Sequence, residues 1–286
     1  MPFSTPLALS SMKLFRPSLT ILLLTVLLGV SARANEKKED TPKGHLIIHG
    51  GGPLTQDVVK KFVELGGGEQ GHLVVVPTSG QGPIRTDPDS TPQWVRNLGF
   101  GKVSILHTRD PKEANTEEFI KPLESATAIW FSGGRQWRTM DAYLDTKTAE
   151  AFHSVYQRGG VIAGSSAGAT VQGSYLVRGA PEGNHIMMAK GHEVGFGFLP
   201  NTAIDQHAIK RKRLDDMIPV IERYPHLLGI AVDEGTALLV QDGIASVLGR
   251  SKVALYDSKR WKPDSQRYFF LEKGQQFDIT KRTFIE

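Results

Sequence analysis

Short, wholly apolar runs recur along the chain, each closed by glycine or a polar cluster and separated from the next by a stretch of helical length. His45-Leu46-Ile47-Ile48-His49 ends in Gly50-Gly51-Gly52-Pro53, and His72 to Pro77, Lys102 to His107, Ala126 to Phe131 and Gly159 to Gly164 repeat the theme. Runs that lack apolar/polar alternation predict strands covered on both faces, hence parallel strands under helices. Thr55 to Leu65 has helical character. Asn201 to Asp205 and Leu227 to Val232 are further candidate strands, and the basic segment between them, Ala208 to Arg223, reads as helix. Ala237 to Val240, Ile244 to Leu248 and Lys252 to Tyr256 are separated only by Asp242-Gly243 and Gly249, which predicts antiparallel strands joined by tight turns. The Pro-rich stretch Gly80 to Pro92 reads as a long loop, and long loops in compact domains are often functional. The expected fold class is α/β, a three-layer sandwich with a mostly parallel central sheet and antiparallel strands toward the C-terminal end.

The first residues change the picture of the whole. Lys13 and Arg16 precede the apolar stretch Leu19 to Val30, which leads to Ala32-Arg33-Ala34. This pattern is that of a cleavable signal peptide over residues 1–34, and the apolar stretch is short for an uncleaved membrane anchor. Residues 35–43 are charged and read as a disordered leader, so the folded domain is expected over 44–286, secreted or periplasmic and free of the membrane once the signal is removed. Residues 1–34 hold three basic side chains and no acidic one, so cleavage lowers the formal charge from +4 to +1. That is a weak basis for a nucleic-acid partner. The chain has no cysteine, which excludes thiolate nucleophiles, thiolate zinc sites and redox pairs. No cofactor or metal is called for, and any nucleophile must be oxygen or nitrogen.

Gly164-Ser165-Ser166-Ala167-Gly168 fits G-x-S-x-G, in which a serine sits on a sharp strand-to-helix bend with its hydroxyl exposed above a sheet. Alone, the motif reads equally well as a glycine-rich loop. Other predicted strand ends add weight, because ligands of open α/β sheets bind at the carboxyl ends of strands: Gly50-Gly51-Gly52, Ser132-Gly133-Gly134-Arg135-Gln136, Gln206-His207 and Asp233-Glu234. A serine hydroxyl needs a base held in one tautomer by a carboxylate. Among nine histidines, His207 is the best placed. His45 and His72 start strands, His153 lies in a helix and His226 in a loop. Glu234 is the candidate orienting carboxylate, with Asp233 as competitor. The N–H of Ala167 and the Gly133-Gly134 turn are candidate oxyanion donors, and Gln136 a candidate for orienting substrate. The order serine, histidine, acid differs from the serine, acid, histidine of α/β-hydrolases. Gly50-Gly51-Gly52 raises dinucleotide binding, but the run continues as Pro53-Leu54-Thr55 and so does not fit G-x-G-x-x-G, and no acid is suitably placed.

Together, Ser-Gly-Gly-Arg-Gln at 132–136, Gly-Ser-Ser-Ala-Gly-Ala at 164–169, Asp205-Gln206-His207 and Gly229 to Ala237 resemble the cyanophycinase and peptidase E family of serine peptidases, over nearly all of His45 to Tyr256. The resemblance implies a flavodoxin-like sheet of the class I glutamine-amidotransferase type with serine in place of cysteine. It implies Ser166 as nucleophile, His207 as base, Glu234 as third member, an oxyanion hole at Gly134 and Ala167, and a homodimer. The cyanophycinase-like branch cleaves β-aspartyl-arginine links and the peptidase E branch removes N-terminal aspartate. Asp205-Gln206-His207 points to the former and, with Gln136, Arg211 and Arg213, makes Asp205 and Gln206 candidate substrate-binding residues. In that branch arginines follow the histidine by four, six and nine residues; Arg211 and Arg213 match, and Asp216 stands at the third place. Without the resemblance, Lys210-Arg211-Lys212-Arg213 reads as a solvated helix face. The function expected is acyl-enzyme hydrolysis of a peptide or isopeptide bond with an aspartyl component. The alternative is a peptide- or amino-acid-binding domain of the same fold in which Ser166 only donates a hydrogen bond.

Overall fold

The five glycine-bounded apolar runs become β1 (His45–His49), β2 (His72–Val76), β3 (Lys102–Ile105), β4 (Ala128–Phe131) and β5 (Val161–Ser165), parallel in the order β1-β5-β4-β2-β3. The computed structural model describes residues 44–87 and 91–286. The signal peptide and leader read from the sequence, and part of the Pro-rich loop, lie outside those residues. Every residue of β2 and β4 is buried, whereas β3, at the sheet edge, is exposed at Lys102 and half-buried beyond. Alternate side chains point to opposite faces, so each run feeds two cores. On one face Ile47, Leu73, Val75, Trp130 and Ala163 pack against Val58 and Phe62 of α1 (Gln56–Gly66) and Val95 of α2 (Gln93–Arg96). On the other, Leu46, Ile48, Val74, Ile129, Phe131 and Ile162 meet Ala114 of α3 (Pro111–Ala114), Leu123 of α4 (Glu117–Glu124), Tyr143 of α5 (Gln136–Tyr143) and Phe152 of α6 (Lys147–Gln157). Each large apolar side chain buried in this way contributes about 1.5–3 kcal/mol.

After α7 (Ala167–Thr170) come β6 (Gly173–Tyr175), β7 (Leu199–Gln206), α8 (Ile218–Arg223), β8 (Leu228–Val232), β9 (Thr236–Gln241), β10 (Ile244–Gly249), β11 (Val253–Tyr256), β12 (Phe269–Leu271), β13 (Gln276–Asp278) and β14 (Thr283–Ile285). β9 pairs antiparallel with β1, and β10, β13 and β14 follow outward to complete nine strands. The fold is thus α/β with a parallel centre and antiparallel C-terminal strands. β6, β7 and β8 do not extend this sheet. They are parallel members of a second, five-stranded sheet in the order β12-β11-β8-β7-β6. β11 pairs with β8 rather than with its near neighbour β10. The reason lies in its two apolar faces: Val253 and Leu255 join the core shared with the central sheet, while Ala254 and Tyr256 join the core under α8, with Met217, Val220 and Ile221.

The basic segment is also not one helix; only Ile218–Arg223 is helical, with a proline in its first turn. Two local features prevent an earlier start. Lys212 is in the left-handed region, at φ 55°, and the N–H groups of Ile209 and Lys210 donate to the Asp233 carboxylate. The turns of 208–217 pack beside the carboxyl end of β8, and at that end the carboxyl ends of β1, β5 and β7 also converge.

Candidate active site

β5 delivers Ser166 to a bend of the required sharpness. Its backbone stands at φ 55°, ψ −116°, a conformation that costs a non-glycine residue about 1–3 kcal/mol and is held only where neighbours enforce it. The neighbours do so here: the Ser166 N–H donates to the His49 carbonyl at 3.0 Å, and α7 begins immediately after. A Cβ on Gly164 would stand 2.1 Å from the Gly168 carbonyl oxygen, and one on Gly168 2.0 Å from that of Phe131, so only glycines let strand and helix approach this closely. Ala167 opens the helix, and its N–H therefore has no helical acceptor. The β4–α5 turn passes beside the bend. A Cβ on Gly133 would lie 3.9 Å from Ser166 Oγ, while Gly134, at φ 140°, packs against the Ser79 carbonyl, which accepts from the Arg135 N–H at 2.8 Å.

From the second sheet, β7 and β8 bring His207 and Glu234. His207 Nε2 lies 2.9 Å from Ser166 Oγ, and His207 Nδ1 lies 2.6 Å from Glu234 Oε1. The carboxylate accepts the Nδ1–H, which leaves the Nε2 lone pair facing the serine hydroxyl, the tautomer a general base needs. Burial lowers the His207 pKa below its ordinary 6.5; the Glu234 hydrogen bond opposes this, and the charges of Arg211 and Arg213 add to it. The imidazole is therefore neutral and able to accept a proton at neutral pH. Asp233 is committed elsewhere: Oδ1 accepts from the N–H groups of Ile209 and Lys210 at 3.1 and 2.8 Å, and Oδ2 from Ser251 Oγ at 2.9 Å.

The glycine run after β1 is the seat for this pair, a role the sequence reading did not assign to it. The Gly50 carbonyl accepts from the His207 N–H at 2.9 Å and the Gly51 carbonyl from the Gly235 N–H at 2.8 Å. Gly51 is at φ 101°, and a Cβ there would sit 2.2 Å from His207 Cε1; one on Gly52 would sit 3.1 Å from Glu234 Oε2. The run is filled by the imidazole and the carboxylate, which leaves no cradle for a pyrophosphate. His49, at the end of β1, is wholly buried beside them. Burial, followed by the charge of His207, lowers its pKa to about 4.

The expected substrate-binding residues divide. Asp205 is fully buried, and Arg178 takes both of its carboxylate oxygens, Nε to Oδ1 at 2.8 Å and Nη2 to Oδ2 at 2.9 Å. The same guanidinium donates to the Asn184 carbonyl at 2.7 Å and to Asp216 Oδ2 at 2.5 Å. Asp205 is thus an internal ion-pair partner rather than a contact for substrate, because a buried arginine is tolerable only when its charge is matched and its donors are used. Asp216, at the place of a family arginine, supplies the second acid. Gln136 is buried at the start of α5, and its amide donates to the Val177 carbonyl at 2.8 Å, so it holds the 177–184 loop instead of facing a ligand. Gln206 is buried as well, and its Oε1 accepts from Arg213 Nη1 at 3.3 Å. Arg211 is exposed, with Nε 3.8 Å from Glu234 Oε1. Arg178 was not foreseen, since a single arginine in Leu176-Val177-Arg178-Gly179 carries no periodic signal.

Known proteins resemble this chain over most of its length. Residues 46–248 match Peptidase family S51. Over 216 residues, 71% of this chain, the protein is 31% identical to a cyanophycinase of Synechococcus elongatus, and the match spans 64% of that relative's length. A cyanophycinase of Trichormus variabilis is 27% identical over 260 residues, 83% of this chain and 84% of the relative. The fold is similar to the crystal structure of a peptidase from an acI-B1 Actinobacterium, with a TM-score of 0.62 at 23% identity, covering 82% of this chain and 96% of that one. A putative peptidase E protein from Listeria monocytogenes is similar at a TM-score of 0.51 and 15% identity, covering 73% and 99%. The match to more than two thirds of the chain, in the region that holds the strand-end serine, the histidine and the glutamate, makes this protein a member of Peptidase family S51.

Proposed function

We propose that the protein is a serine peptidase that cleaves an amide or isopeptide bond through an acyl-enzyme. The observation that carries this is the continuous chain Ser166 Oγ, His207 Nε2, His207 Nδ1, Glu234 Oε1, at 2.9 and 2.6 Å. In the first half-reaction Ser166 Oγ attacks the carbonyl carbon as its proton passes to His207 Nε2, and the imidazolium then protonates the leaving amine. In the second, water attacks the ester, gives its proton to Nε2, and the serine leaves with that proton. Glu234 holds the ring through Nδ1 and stabilises the imidazolium. The donors proposed for the oxyanion are the N–H of Ala167, free at the start of α7, and the Gly133-Gly134 turn that passes beside Ser166. Replacing Ser166 by alanine tests the assignment: it is expected to abolish hydrolysis of aspartyl dipeptides and labelling by a fluorophosphonate, and retained activity would overturn it.

For the substrate, the surroundings favour an acidic group. Arg211 and Arg213 flank the base, and an open cleft of about 520 Å³ beside Glu234 is lined by Lys210 and Arg250. Such guanidinium groups suit bidentate pairing with a carboxylate. One observation favours a peptidase E-like aspartyl peptidase over a β-aspartyl-arginine hydrolase: Arg178 already saturates Asp205, which withdraws that negative charge from a cationic substrate group. A panel of α-aspartyl, β-aspartyl and β-aspartyl-arginine dipeptides separates the two, and a preference for the arginine-bearing member would refute the narrower reading. The leader pattern supports action outside the cytoplasm; Asn35 as the first residue of the exported protein is the expected result of N-terminal sequencing.

A further inference from the structure

Next to the catalytic serine lies a second serine–histidine pair, which the reaction above does not use. His49 Nδ1 is 3.0 Å from Ser165 Oγ and 3.3 Å from the Gly51 nitrogen. A backbone N–H can only donate, so Nδ1 is an acceptor and His49 is the neutral tautomer protonated at Nε2. Its single lone pair is shared between the Gly51 N–H and the Ser165 hydroxyl. Nε2 has no hydrogen-bond partner of regular geometry. The Pro53 carbonyl acts on the ring as a backbone acceptor, so burial of the imidazole is only partly compensated.

What the residue touches explains its presence. Its carbonyl accepts the N–H of Ser166 at 3.0 Å and so holds the strained bend. Its ring fixes Ser165 on one side and Gly51 on the other, and Gly51 is the surface on which the His207 ring rests, with room for no Cβ between them. We infer that His49, through Ser165 and Gly51, is a positioning residue that sets the separation of Ser166 and His207. The inference rests on the reading of Ser166, His207 and Glu234 as the catalytic groups. His49 touches no substrate and transfers no proton.

The test compares wild type, Ser166→Ala, His49→Leu, His49→Asn and Ser165→Ala, by second-order labelling with a fluorophosphonate and by kcat and KM on an aspartyl dipeptide. His49→Leu is expected to lower labelling and kcat by about 10- to 100-fold with KM unchanged, as a small misplacement of reacting groups does. His49→Asn, whose Oδ1 can take the place of Nδ1, is expected to recover to within about threefold of wild type. Ser165→Ala is expected to fall several-fold, and it carries the test if leucine at 49 prevents folding. A folded His49→Leu, or in its absence Ser165→Ala, that reacts at the wild-type rate while Ser166→Ala is inert overturns the positioning role and leaves the catalytic reading standing. A wild-type protein that is neither labelled nor active overturns both. Independently of activity, nitrogen NMR of the histidines is expected to show His49 Nδ1 unprotonated at pH 7; a proton there overturns the inference.

Discussion

Two serines adjacent in the chain each meet an imidazole, at 2.9 Å for Ser166 and 3.0 Å for Ser165, yet the pairs are built for different ends. Ser166 faces Nε2 of a histidine whose Nδ1 is held by Glu234, on a bend that lifts the hydroxyl clear of the sheet. Ser165 is the last residue of a strand and faces Nδ1 of a histidine that has no carboxylate at its other nitrogen and already accepts from a backbone N–H. Closeness of hydroxyl and imidazole is common to both. What separates a nucleophile from a structural hydroxyl is control of the tautomer and a negative charge placed to stabilise the imidazolium.

Substitutions at each position sharpen this contrast. The largest expected effect is Ser166→Ala, a loss of about 10⁴-fold or more in kcat, against several-fold for Ser165→Ala; equal losses would erase the distinction. Glu234→Gln, which keeps the shape and removes the charge, is expected to cost up to about 10⁴-fold in kcat with little change in KM. Gly51→Ala puts a methyl group where the His207 ring stands, at a backbone φ of 101°, and is expected to cost about 10²-fold in single-turnover rate.

The remaining two effects are smaller and read the histidines through pH. The folded pKa of His49 is lowered to about 4, below its unfolded value near 6.5, so its contribution to stability is complete above pH 6.5 and is lost as pH falls toward 4. Between pH 6.5 and pH 5 that loss is about 2 kcal/mol. Urea unfolding at the two pH values should show it in wild type and not in His49→Asn. For His207 the charge of Arg211 is one of the causes that hold the pKa down. Arg211→Gln should therefore move the acid limb of kcat upward, by a few tenths of a pH unit at an exposed site. An unchanged limb would show that Arg211 does not act on the base.

The two regions also differ in how far the sequence disclosed them. The nucleophile strand was legible because a continuous apolar run ending in small residues constrains both the strand and its bend. His207 and Glu234 follow strands as the sequence predicts, but those strands belong to a second sheet that it does not predict. Ile204, Ile230 and Leu255 would satisfy a core on either sheet, and pairing is decided by partners far away in the chain. Helical composition in 208–217 was overridden by the Asp233 carboxylate and by Lys212 at φ 55°. The matching of Arg178 to Asp205 and Asp216 joins residues 27 and 38 positions apart, a separation at which no periodic pattern operates.

Because the hydroxyl proposed as nucleophile comes from one sheet and its proposed proton acceptor from the other, neither sheet alone holds the proposed catalytic set. On the proposed mechanism, hydrolytic power would arrive only once β7 and β8 of the second sheet have closed against β1 and β5 of the central one.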